Sequence, residues 1–283
     1  MEIFLPTRGR VDNQVTLQLL PDEIRKQVTI VCHPGEEDAL DRLWGGKVWD
    51  IVPVAARNIG EVRQYCIDNI ARSAYPIFVD DSLNFHIRER SDTGIETKFL
   101  LKEITERYFT PAHIMEYRAR VFRWLNNVLR NDEYGMVGIS RRSGNNNTPT
   151  AYKINERVCS FWGINLKKFR RLRGNPEFSD FPIKEDFYIY LHFLTNGFPT
   201  ITAFKYAYGR VGGANSAGGC SDYRNCEVSN QAARRLYEAF PEFVRIVTKR
   251  PKSWNGEMAD AAVEDVYIQS KKAYLYGLQR TGR

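Results

Sequence analysis

The amino-acid sequence predicts an α/β protein with a mostly parallel sheet flanked by helices, and three observations support this. In the first hundred residues, short apolar segments alternate with segments of helical composition, which is typical of parallel strands joined by helices. These strand-like segments are apolar throughout, as in a sheet that is buried on both faces. The 283 residues are 43% hydrophobic and 27% charged, a composition and length that can form a full globular core.

The first hundred residues contain four predicted strands and two predicted helices. The strands are the apolar or β-branched segments 2–6, 28–34, 48–54 and 75–81. Helices are predicted between them at 36–44 and 61–74. The first of these helices has acids in its first turn, which the helix dipole favours.

The second half predicts further elements of the same kind. An amphipathic pattern predicts one helix at 111–132. Further strands are predicted at 135–140, 158–169 and 201–210, and a last helix at 229–244 precedes a basic and aromatic tail. A long glycine-rich loop at 211–225 is of the kind that is usually functional in compact domains. Since no internal repeat or low-complexity linker interrupts the pattern, we expect a single domain over residues 1–283.

Several common classes of site are not indicated. No run of about 18 apolar residues predicts a transmembrane helix, and the N-terminus lacks a signal-peptide pattern, so we expect a cytoplasmic protein. The five cysteines form no Cys-x-x-Cys pair of the kind that binds zinc. No Walker loop, Gly-x-Gly-x-x-Gly or Gly-x-Ser-x-Gly motif occurs, so the mechanisms that depend on them find no support.

The chain carries excess positive charge, with a net charge of +7 and a pI of about 9.1. Such an excess favours a polyanionic partner, because bound phosphates release counterions. Two basic segments, 141–147 and 167–175, concentrate the charge. Each is either a solvated surface turn or a nucleic-acid contact. The candidate phosphate-binding residues are Arg141, Arg142, Lys167, Lys168, Arg170 and Arg171.

Two adjacent aspartates, Asp80 and Asp81, end the fourth predicted strand. In open parallel sheets, ligands bind beyond the carboxyl ends of the strands. Carboxylates at that position can hold a divalent cation, which in turn bridges phosphate oxygens. The alternative is that one aspartate caps the next segment and the other is solvated.

Two other segments have the composition of a phosphate-binding loop. The first follows the first strand and contains Pro6, Thr7, Arg8, Gly9 and Arg10. The second lies where the third strand gives way to a helix and contains Arg57, Gly60 and Arg63. Arginine binds phosphate through paired hydrogen bonds, glycine allows close backbone approach, and a helix N-terminus favours an anion. An ordinary basic turn and a solvated helix surface are the alternatives.

A second acid pair, Glu185 and Asp186, opens an apolar and aromatic segment. One interpretation is a general base that accepts the proton of an acceptor hydroxyl. The other is that acids are favoured at a helix start by the dipole alone.

In this order, these motifs resemble those of glycosyltransferases of the GT-A fold. That fold begins with a strand and a nucleotide-contacting loop, carries an acidic motif after its fourth strand, and often takes its base from a later acid pair. More narrowly, the chain resembles the TET/JBP-associated glycosyltransferases, which occur in bacteriophages and are related to the glucosyltransferase that makes base J. The segments that carry the resemblance are 3–10, 58–63, 77–88, 136–146 and 210–220.

The resemblance implies transfer of a sugar from a nucleotide-sugar, with a UDP-sugar expected, to the hydroxyl of a 5-hydroxymethylpyrimidine in DNA, with 5-hydroxymethylcytosine expected. Residues 1–100 would bind the donor and 101–283 the acceptor. The loop containing Gly212 and Gly213 would close over the donor or the acceptor. A phage enzyme of this family would act in the host cytoplasm.

The resemblance also assigns roles to the acids. Asp80 would contact the nucleoside, and Asp81 would bind a divalent metal, Mn²⁺ or Mg²⁺. The motif reads Val-Asp-Asp-Ser, without a third acid at Ser82, so the metal geometry is not defined by it. Asp186 is the first candidate for the base and Glu185 the second.

Three alternatives remain at this point. The first is a GT-A glycosyltransferase that acts on a carbohydrate or small molecule, the second a non-catalytic nucleic-acid-binding module, and the third a nucleotidyltransferase. The position of the basic segments distinguishes the first alternative from a DNA-modifying enzyme. If they face away from the Asp81 site, the argument for DNA loses its main support from the residues themselves.

Overall fold

The computed structural model describes residues 1–92, 97–144, 148, 150–212, 218–219, 223–249 and 263–282. Within these residues a ten-stranded sheet is flanked by helices, and a separate two-stranded sheet lies near the C-terminus. The strands are β1 Ile3–Pro6, β2 Val28–Cys32, β3 Asp50–Pro53, β4 Ile77–Val79, β5 Leu83–Asp92, β6 Thr97–Glu103, β7 Met136–Arg141, β8 Tyr152–Ile154, β9 Phe161–Ile164, β10 Thr200–Arg210, β11 Val244–Lys249 and β12 Val263–Ile268. The α-helices are α1 Val15–Leu19, α2 Asp22–Arg25, α3 Glu37–Trp44, α4 Ile59–Tyr65, α5 Pro111–Arg130, α6 Leu166–Phe169, α7 Glu185–Thr195, α8 Cys226–Ala239 and α9 Ser270–Thr281.

The large sheet has the strand order β3-β2-β1-β4-β9-β7-β10-β5-β6, and β8 pairs with β10. Strands β1 to β4 are mutually parallel, and β7 is parallel to β10. Strand β9 is antiparallel to both β4 and β7, and β5 is antiparallel to β10. The predicted α/β class with a mainly parallel sheet is therefore confirmed. The carboxyl ends of β1, β4, β7 and β10 meet at one edge, together with the start of β9.

The sheet is buried on both faces because its central strands are apolar at successive positions. Phe4, Phe78 and Trp162 point into a core formed with α7 and α8. Neighbouring residues of the same strands point to the other face, into a core formed with α1, α3 and α5. The rings of Phe78 and Trp162 lie 4.7 Å apart between centroids, which ties β4 to β9 beside the acids that follow β4.

The C-terminal region differs from the prediction. The segment predicted as a basic and aromatic tail contains β11, β12 and α9. Helix α9 packs against α7 at Gly277, where a Cβ atom would lie 2.0 Å from the carbonyl oxygen of Leu194. The predicted strand at 158–169 is also shorter than expected, because α6 begins at Leu166. The single domain over residues 1–283 stays a prediction. No helix in the described ranges is both long and apolar enough to cross a bilayer.

Candidate functional site

A cleft lies at the edge of the sheet where β1 and β4 end. It encloses about 1040 Å³, including open solvent at its mouth. The sequence-predicted site residues that line it are Pro6, Thr7, Arg8, Arg10, Arg63, Asp80, Asp81, Glu185 and Asp186. Residues from both predicted halves of the chain thus meet in one cleft, although the division of the chain into donor and acceptor halves remains a prediction.

The loop after β1 binds directly to Asp81. The Thr7 hydroxyl donates to Asp81 Oδ2 at 2.9 Å, and Arg10 Nη1 donates to Asp81 Oδ1 at 2.8 Å. Gln14, which is fully buried, donates to the Thr7 hydroxyl and to the Arg10 carbonyl oxygen, both at 2.8 Å. Burial raises the pKa of Asp81, against the effect of the Arg10 guanidinium. The first loop and the acids after β4 therefore form one hydrogen-bonded unit.

Arg63 connects the acids after β4 to the acid pair of α7. Its guanidinium forms an ion pair with Glu185 and lies 3.5 Å from Asp80 Oδ1. The Arg63 side chain is only 4% exposed, and its Cζ lies 5.1 Å from the ring centre of Trp162. A buried guanidinium needs such opposite charges, because desolvation is costly. Its position is set by β4, β9 and α7 together.

Glu185 and Asp186 form the first turn of α7 and are both buried. Burial raises the pKa of the Glu185 carboxyl to about 7, although Arg63 beside it acts in the opposite direction. Burial also raises the pKa of Asp186, whose Oδ1 accepts a hydrogen bond from the Phe187 N–H at 2.9 Å. Lys184 precedes the helix in the left-handed conformation, with a φ of 64°, and its Nζ binds Asp265 at 3.0 Å. A carboxylate whose pKa is raised towards neutrality is suited to proton transfer.

The glycine-rich loop reaches the cleft through its described residues. Gly219 N–H donates to the Arg8 carbonyl oxygen at 2.7 Å, and Arg10 Nη2 donates to the Gly218 carbonyl oxygen at 3.1 Å. Gly218 has a φ of 83°, and a Cβ there would lie 2.6 Å from the Arg8 oxygen, so the close approach requires glycine. Gly212 is exposed, and the predicted role of Gly213 lies outside the described residues.

Three predicted phosphate-binding residues have other surroundings. Gly60 lies against the backbone of α7's preceding segment, where a Cβ would meet the Phe178 carbonyl oxygen at 2.3 Å. The Arg57 side chain is 90% exposed and forms an ion pair with Glu61 at 2.6 Å. Gly9 N–H donates to Glu36 Oε1 at 2.5 Å. Local packing or pairing therefore accounts for the residue type at each of these three positions. Their predicted roles in phosphate binding stay predictions.

The two basic segments lie at opposite ends of the strands of the large sheet. Since β7 is antiparallel to β9 and β9 to β4, β7 ends at the cleft edge, and the exposed Arg141 and Arg142 lie there. Strand β9 runs the other way and leads to α6, whose Leu166 N–H donates to the Ala74 carbonyl oxygen before β4, at 2.9 Å. The group on or beside α6, far from the cleft, consists of Lys167, Lys168, Arg170 and Arg171. The direction of β9 therefore places this second group away from the Asp81 site, which weakens the argument for DNA, and the predicted phosphate contacts of these residues stay predictions.

The sequence analysis missed several cleft residues. Arg210, at the end of β10, donates to Asp80 Oδ2 and to the Ser160 hydroxyl, both at 2.7 Å. Tyr223 accepts a hydrogen bond at its hydroxyl from the Ile59 N–H at 3.0 Å, and Arg224 also lines the cleft. Arg210 ends a predicted strand, where ligands often bind, but its place beside Asp80 also depends on the pairing of β10 with β5, which the local sequence does not give. Nothing in the local sequence marks Ser160 or Tyr223.

The acids after β4 do not offer a ready set of metal ligands. Asp81 accepts from Thr7 and Arg10, and Asp80 is contacted by Arg63 and Arg210. A divalent cation binds carboxylate oxygens, but three of these four oxygens face guanidinium groups, whose positive charge opposes a second cation. In the part of the chain that the structure describes, no three His, Cys, Asp or Glu side chains cluster as a metal site would require. As placed here, the residues do not fit a divalent metal.

Solved structures resemble this chain at low sequence identity. GalNAc-T7 with UDP, GalNAc and Mn²⁺ is 10% identical, with a TM-score of 0.45, and the match covers 84% of this chain and 48% of GalNAc-T7. This chain thus spans about half the length of GalNAc-T7. CMP:2-keto-3-deoxy-manno-octonic acid synthetase complexed with CTP is 12% identical, with a TM-score of 0.35 and coverage of 71% and 88%. The inositol-1-phosphate CTP transferase from T. maritima is 11% identical, with a TM-score of 0.37 and coverage of 84% and 96%. These likenesses concern the fold alone.

The family comparison is more specific. None of the curated proteins matches the chain. In contrast, residues 1–219 match the family described as TET-Associated Glycosyltransferase, which is more than half of the chain. The matched residues include both acid pairs of the cleft, the loop after β1 and the arginines Arg63 and Arg210. The chain therefore belongs to the TET-Associated Glycosyltransferase family.

Proposed function

We propose that this protein transfers a sugar from a nucleotide-sugar to the hydroxyl of a 5-hydroxymethylpyrimidine in DNA. A UDP-sugar is the first candidate for the donor, and 5-hydroxymethylcytosine is the first candidate for the acceptor base. The observation that carries the proposal is the convergence at one cleft of the β1 loop, the acids after β4 and the acid pair of α7. Family membership supports the glycosyl-transfer chemistry.

In the proposed reaction, the acceptor oxygen bonds to the anomeric carbon of the sugar while the bond from that carbon to the nucleoside diphosphate breaks. A carboxylate within hydrogen-bond reach accepts the hydroxyl proton. We assign this role to Asp186, because Glu185 is held in the ion pair with Arg63. The cationic side chains of the cleft stabilise the charge that develops on the leaving diphosphate, which is usually the largest catalytic contribution.

A divalent metal would supply further charge stabilisation to the leaving group in such a reaction. The described carboxylates do not fit that ion, so we assign the charge stabilisation and the proton transfer to side chains alone. Asp80 and Asp81 then act by holding the cations and the β1 loop in place.

Two features support DNA as the acceptor. The net charge of +7 favours a polyanion, and Arg141 and Arg142 extend from the cleft edge as exposed cations. A base within a duplex cannot enter such a cleft, so the enzyme would act on single strands or flip the base out, which costs a few kcal/mol.

A second candidate is a glycosyltransferase that acts on a carbohydrate or small-molecule acceptor. The observation that favours it is the position of the α6 basic group, which lies at the edge of the sheet opposite the cleft. That group does not contribute phosphate contacts to an acceptor bound at Asp186, so DNA recognition would rest on fewer cations than the sequence predicted.

The decisive experiment offers the protein a panel of UDP-sugars together with DNA that contains 5-hydroxymethylcytosine. The DNA is then digested to nucleosides, and their masses are measured by mass spectrometry. We expect a gain of one sugar on the hydroxymethylated nucleoside and no gain on DNA with unmodified cytosine. Transfer to a carbohydrate acceptor but not to DNA would favour the second candidate.

Two other outcomes would contradict glycosyl transfer altogether. Release of pyrophosphate from a nucleoside triphosphate would identify a nucleotidyltransferase. A nucleic-acid-binding module without catalysis predicts that UDP-sugars leave the melting temperature unchanged, whereas a donor at 100 times its Kd stabilises the folded state by about 2.7 kcal/mol.

The role of the basic residues is tested by the salt dependence of DNA binding. Arg142→Ala removes a cation at the cleft edge, and we expect the slope of log K against log salt to fall by roughly 0.9 for each lost phosphate contact with duplex DNA. Arg170→Ala, at the opposite edge, is the matched control and should leave that slope unchanged. A loss only for Arg170→Ala would place the DNA on the other side of the sheet.

A further inference from the structure

We propose that three arginines, Arg10, Arg63 and Arg210, provide the positive charge that opposes the donor diphosphate, and that Asp80 and Asp81 hold these guanidinium groups instead of a metal ion. The inference rests on the proposed function, because it assumes that a nucleoside diphosphate leaves in the reaction. It assigns to the acids after β4 a positioning role, and it predicts nucleotide binding without a divalent cation.

The first support is the set of contacts made by the two aspartates. On Asp81, Oδ2 accepts from the Thr7 hydroxyl at 2.9 Å and Oδ1 accepts from Arg10 at 2.8 Å. On Asp80, Oδ1 lies 3.5 Å from Arg63 Nη2, and Oδ2 accepts from Arg210 at 2.7 Å. All four carboxylate oxygens therefore face a donor. A metal ion bound to either aspartate would have to share an oxygen with one of these donors, and every donor except the Thr7 hydroxyl is a guanidinium group of like charge.

The second support is the burial of the network, which opposes the displacement of a guanidinium group by a metal ion. The side chains of Asp81 and Arg63 are 5% and 4% exposed. Arg63 is held from a third direction by the Trp162 ring, 5.1 Å from its Cζ, and it also pairs with Glu185. Moving Arg63 or Arg10 off its carboxylate would leave a poorly solvated cation beside the incoming dication, which is unfavourable on both counts.

The third support is the charge of the cleft wall. Among the described residues that line the cleft, six are cationic and four are carboxylic. The six cationic residues are Arg8, Arg10, Arg63, Lys184, Arg210 and Arg224. The wall thus carries more cationic than carboxylic side chains before any metal is added. An anion such as a diphosphate complements this wall directly.

The chemistry of arginine fits the role. A guanidinium group carries five N–H donors in a planar fork, so it can bind a carboxylate and a phosphate oxygen at the same time. It stays charged at every pH at which the protein is folded. Arg10 contacts Asp81 from the β1 loop, and Arg210 contacts Asp80 from the end of β10. A diphosphate lying over Asp80 and Asp81 would therefore meet a cation beside each aspartate.

The test measures UDP binding by isothermal titration calorimetry, once with EDTA and once with MnCl₂. We expect the two dissociation constants of the wild type to agree within about twofold, since the arginines act in both conditions. Arg210→Ala, whose side chain is 30% exposed and so tolerates removal better than buried Arg63, should weaken UDP binding about tenfold or more in both buffers, an effect of about 1.4 kcal/mol or more. Arg170→Ala, on the opposite edge, should bind UDP like the wild type.

A second variant separates the two roles of Asp81 without a large change in shape. Asp81→Asn keeps the size of the side chain but removes the charge that holds Arg10, so UDP binding should weaken by a similar factor with EDTA and with Mn²⁺. Circular dichroism and the melting temperature verify that the variants remain folded. Electron paramagnetic resonance of Mn²⁺ gives an independent readout: UDP alone binds part of the Mn²⁺, and adding the protein to that mixture should not lower the free-ion signal further.

The outcomes distinguish this inference from the function on which it rests. UDP binding that requires Mn²⁺, is lost with EDTA, and becomes metal-insensitive in Asp81→Asn would overturn the arginine proposal and leave a metal-dependent glycosyltransferase. If UDP, CDP, GDP, ADP and dTDP all fail to bind in either buffer, the nucleotide-sugar function fails, and the arginine proposal fails with it.

Discussion

The cleft contains two pairs of adjacent acids that are alike in sequence but differ in their surroundings. Asp80 and Asp81 follow a strand, and their oxygens face hydroxyl and guanidinium donors from three separate elements. Glu185 and Asp186 begin a helix, and burial raises the pKa of both, as it does for Asp81. The difference lies in the contacts, since Asp186 accepts from the backbone N–H of Phe187 in its own helix. The acids after β4 hold cations, whereas Asp186 is suited to proton transfer. Carboxylates of one type can thus have different roles, because their surrounding contacts differ.

Arg63 links the two pairs, and the link has a structural consequence. It contacts Asp80 and forms an ion pair with Glu185, so the acids after β4 and the acids of α7 share one cation. We therefore expect a change in either pair to affect the other through Arg63. The variants below test how far the two pairs can be separated.

The largest expected effect is that of Asp186→Asn. This change keeps the shape of the side chain but removes its ability to accept a proton, so turnover should fall by about 10²–10⁴-fold. The affinity for the nucleotide-sugar should stay within a small factor of the wild type, as measured by calorimetry. In the wild type, the rate should rise with pH as the base loses its proton, with a midpoint above the ordinary pKa of aspartate, because burial raises the pKa of Asp186. A loss of affinity with unchanged turnover would reassign Asp186 to binding.

Asp81→Ala should affect catalysis somewhat less and by a different route. The change removes the acceptor that holds Thr7 and Arg10, and we expect sugar transfer to drop by at least about 10²–10³-fold, the usual effect of losing a preorganised charge contact. The fold should persist, since the cores on both faces of the sheet are untouched. Transfer at the wild-type rate, measured by nucleoside mass spectrometry, would remove Asp81 from the mechanism.

The sequence predicts the first acid pair well because its signal is local. An apolar run that ends in acids marks the end of a buried strand, and the loop after β1 is marked in the same way, so Thr7, Arg10 and Asp81 are found together as expected. The strands β1 to β4 follow from the same apolar pattern. Each of these inferences uses only neighbouring residues.

Features that depend on strand direction or on distant pairing escape such reasoning. Arg210 reaches Asp80, 130 positions away, only because β10 pairs antiparallel with β5. The α6 basic group lies far from the cleft only because β9 runs antiparallel to β4. Composition does not reveal the direction of a strand within the sheet. The end of the strands at which Lys167 lies could therefore not be predicted from it. Strands β11 and β12 were not predicted because most of their side chains are partly or fully exposed and their apolar residues are interspersed with charged ones.

Glu185→Ala tests the link between the pairs through stability. Breaking a buried ion pair by removing one partner costs about 3–5 kcal/mol in unfolding free energy. We expect this cost above pH 7, where Glu185 is ionised, because Arg63 would lose its acidic partner on α7. Chemical denaturation measures this loss. Replacing both Arg63 and Glu185 by methionine should cost less than the sum of the two single changes, because no unpaired buried charge remains. Additive costs would show that the pair is not energetically coupled. The control is Arg57→Ala, which removes the exposed ion pair between Arg57, just before α4, and Glu61 on α4. It should have a much smaller effect.

The smallest effect concerns the pH dependence of stability. Burial raises the pKa of Glu185 to about 7 from 4.5, so between these pH values the folded state holds a proton that the unfolded state has released. The contribution of Glu185 to stability is therefore fully present below about pH 4.5 and is lost as the pH rises towards 7, at no more than about 1.4 kcal/mol per pH unit. Glu185→Gln lacks this proton, so the wild type should lose stability relative to the variant across this range. Parallel curves of unfolding free energy would mean that Arg63 keeps Glu185 ionised throughout this range, and Glu185 would then hold a cation as Asp80 and Asp81 do.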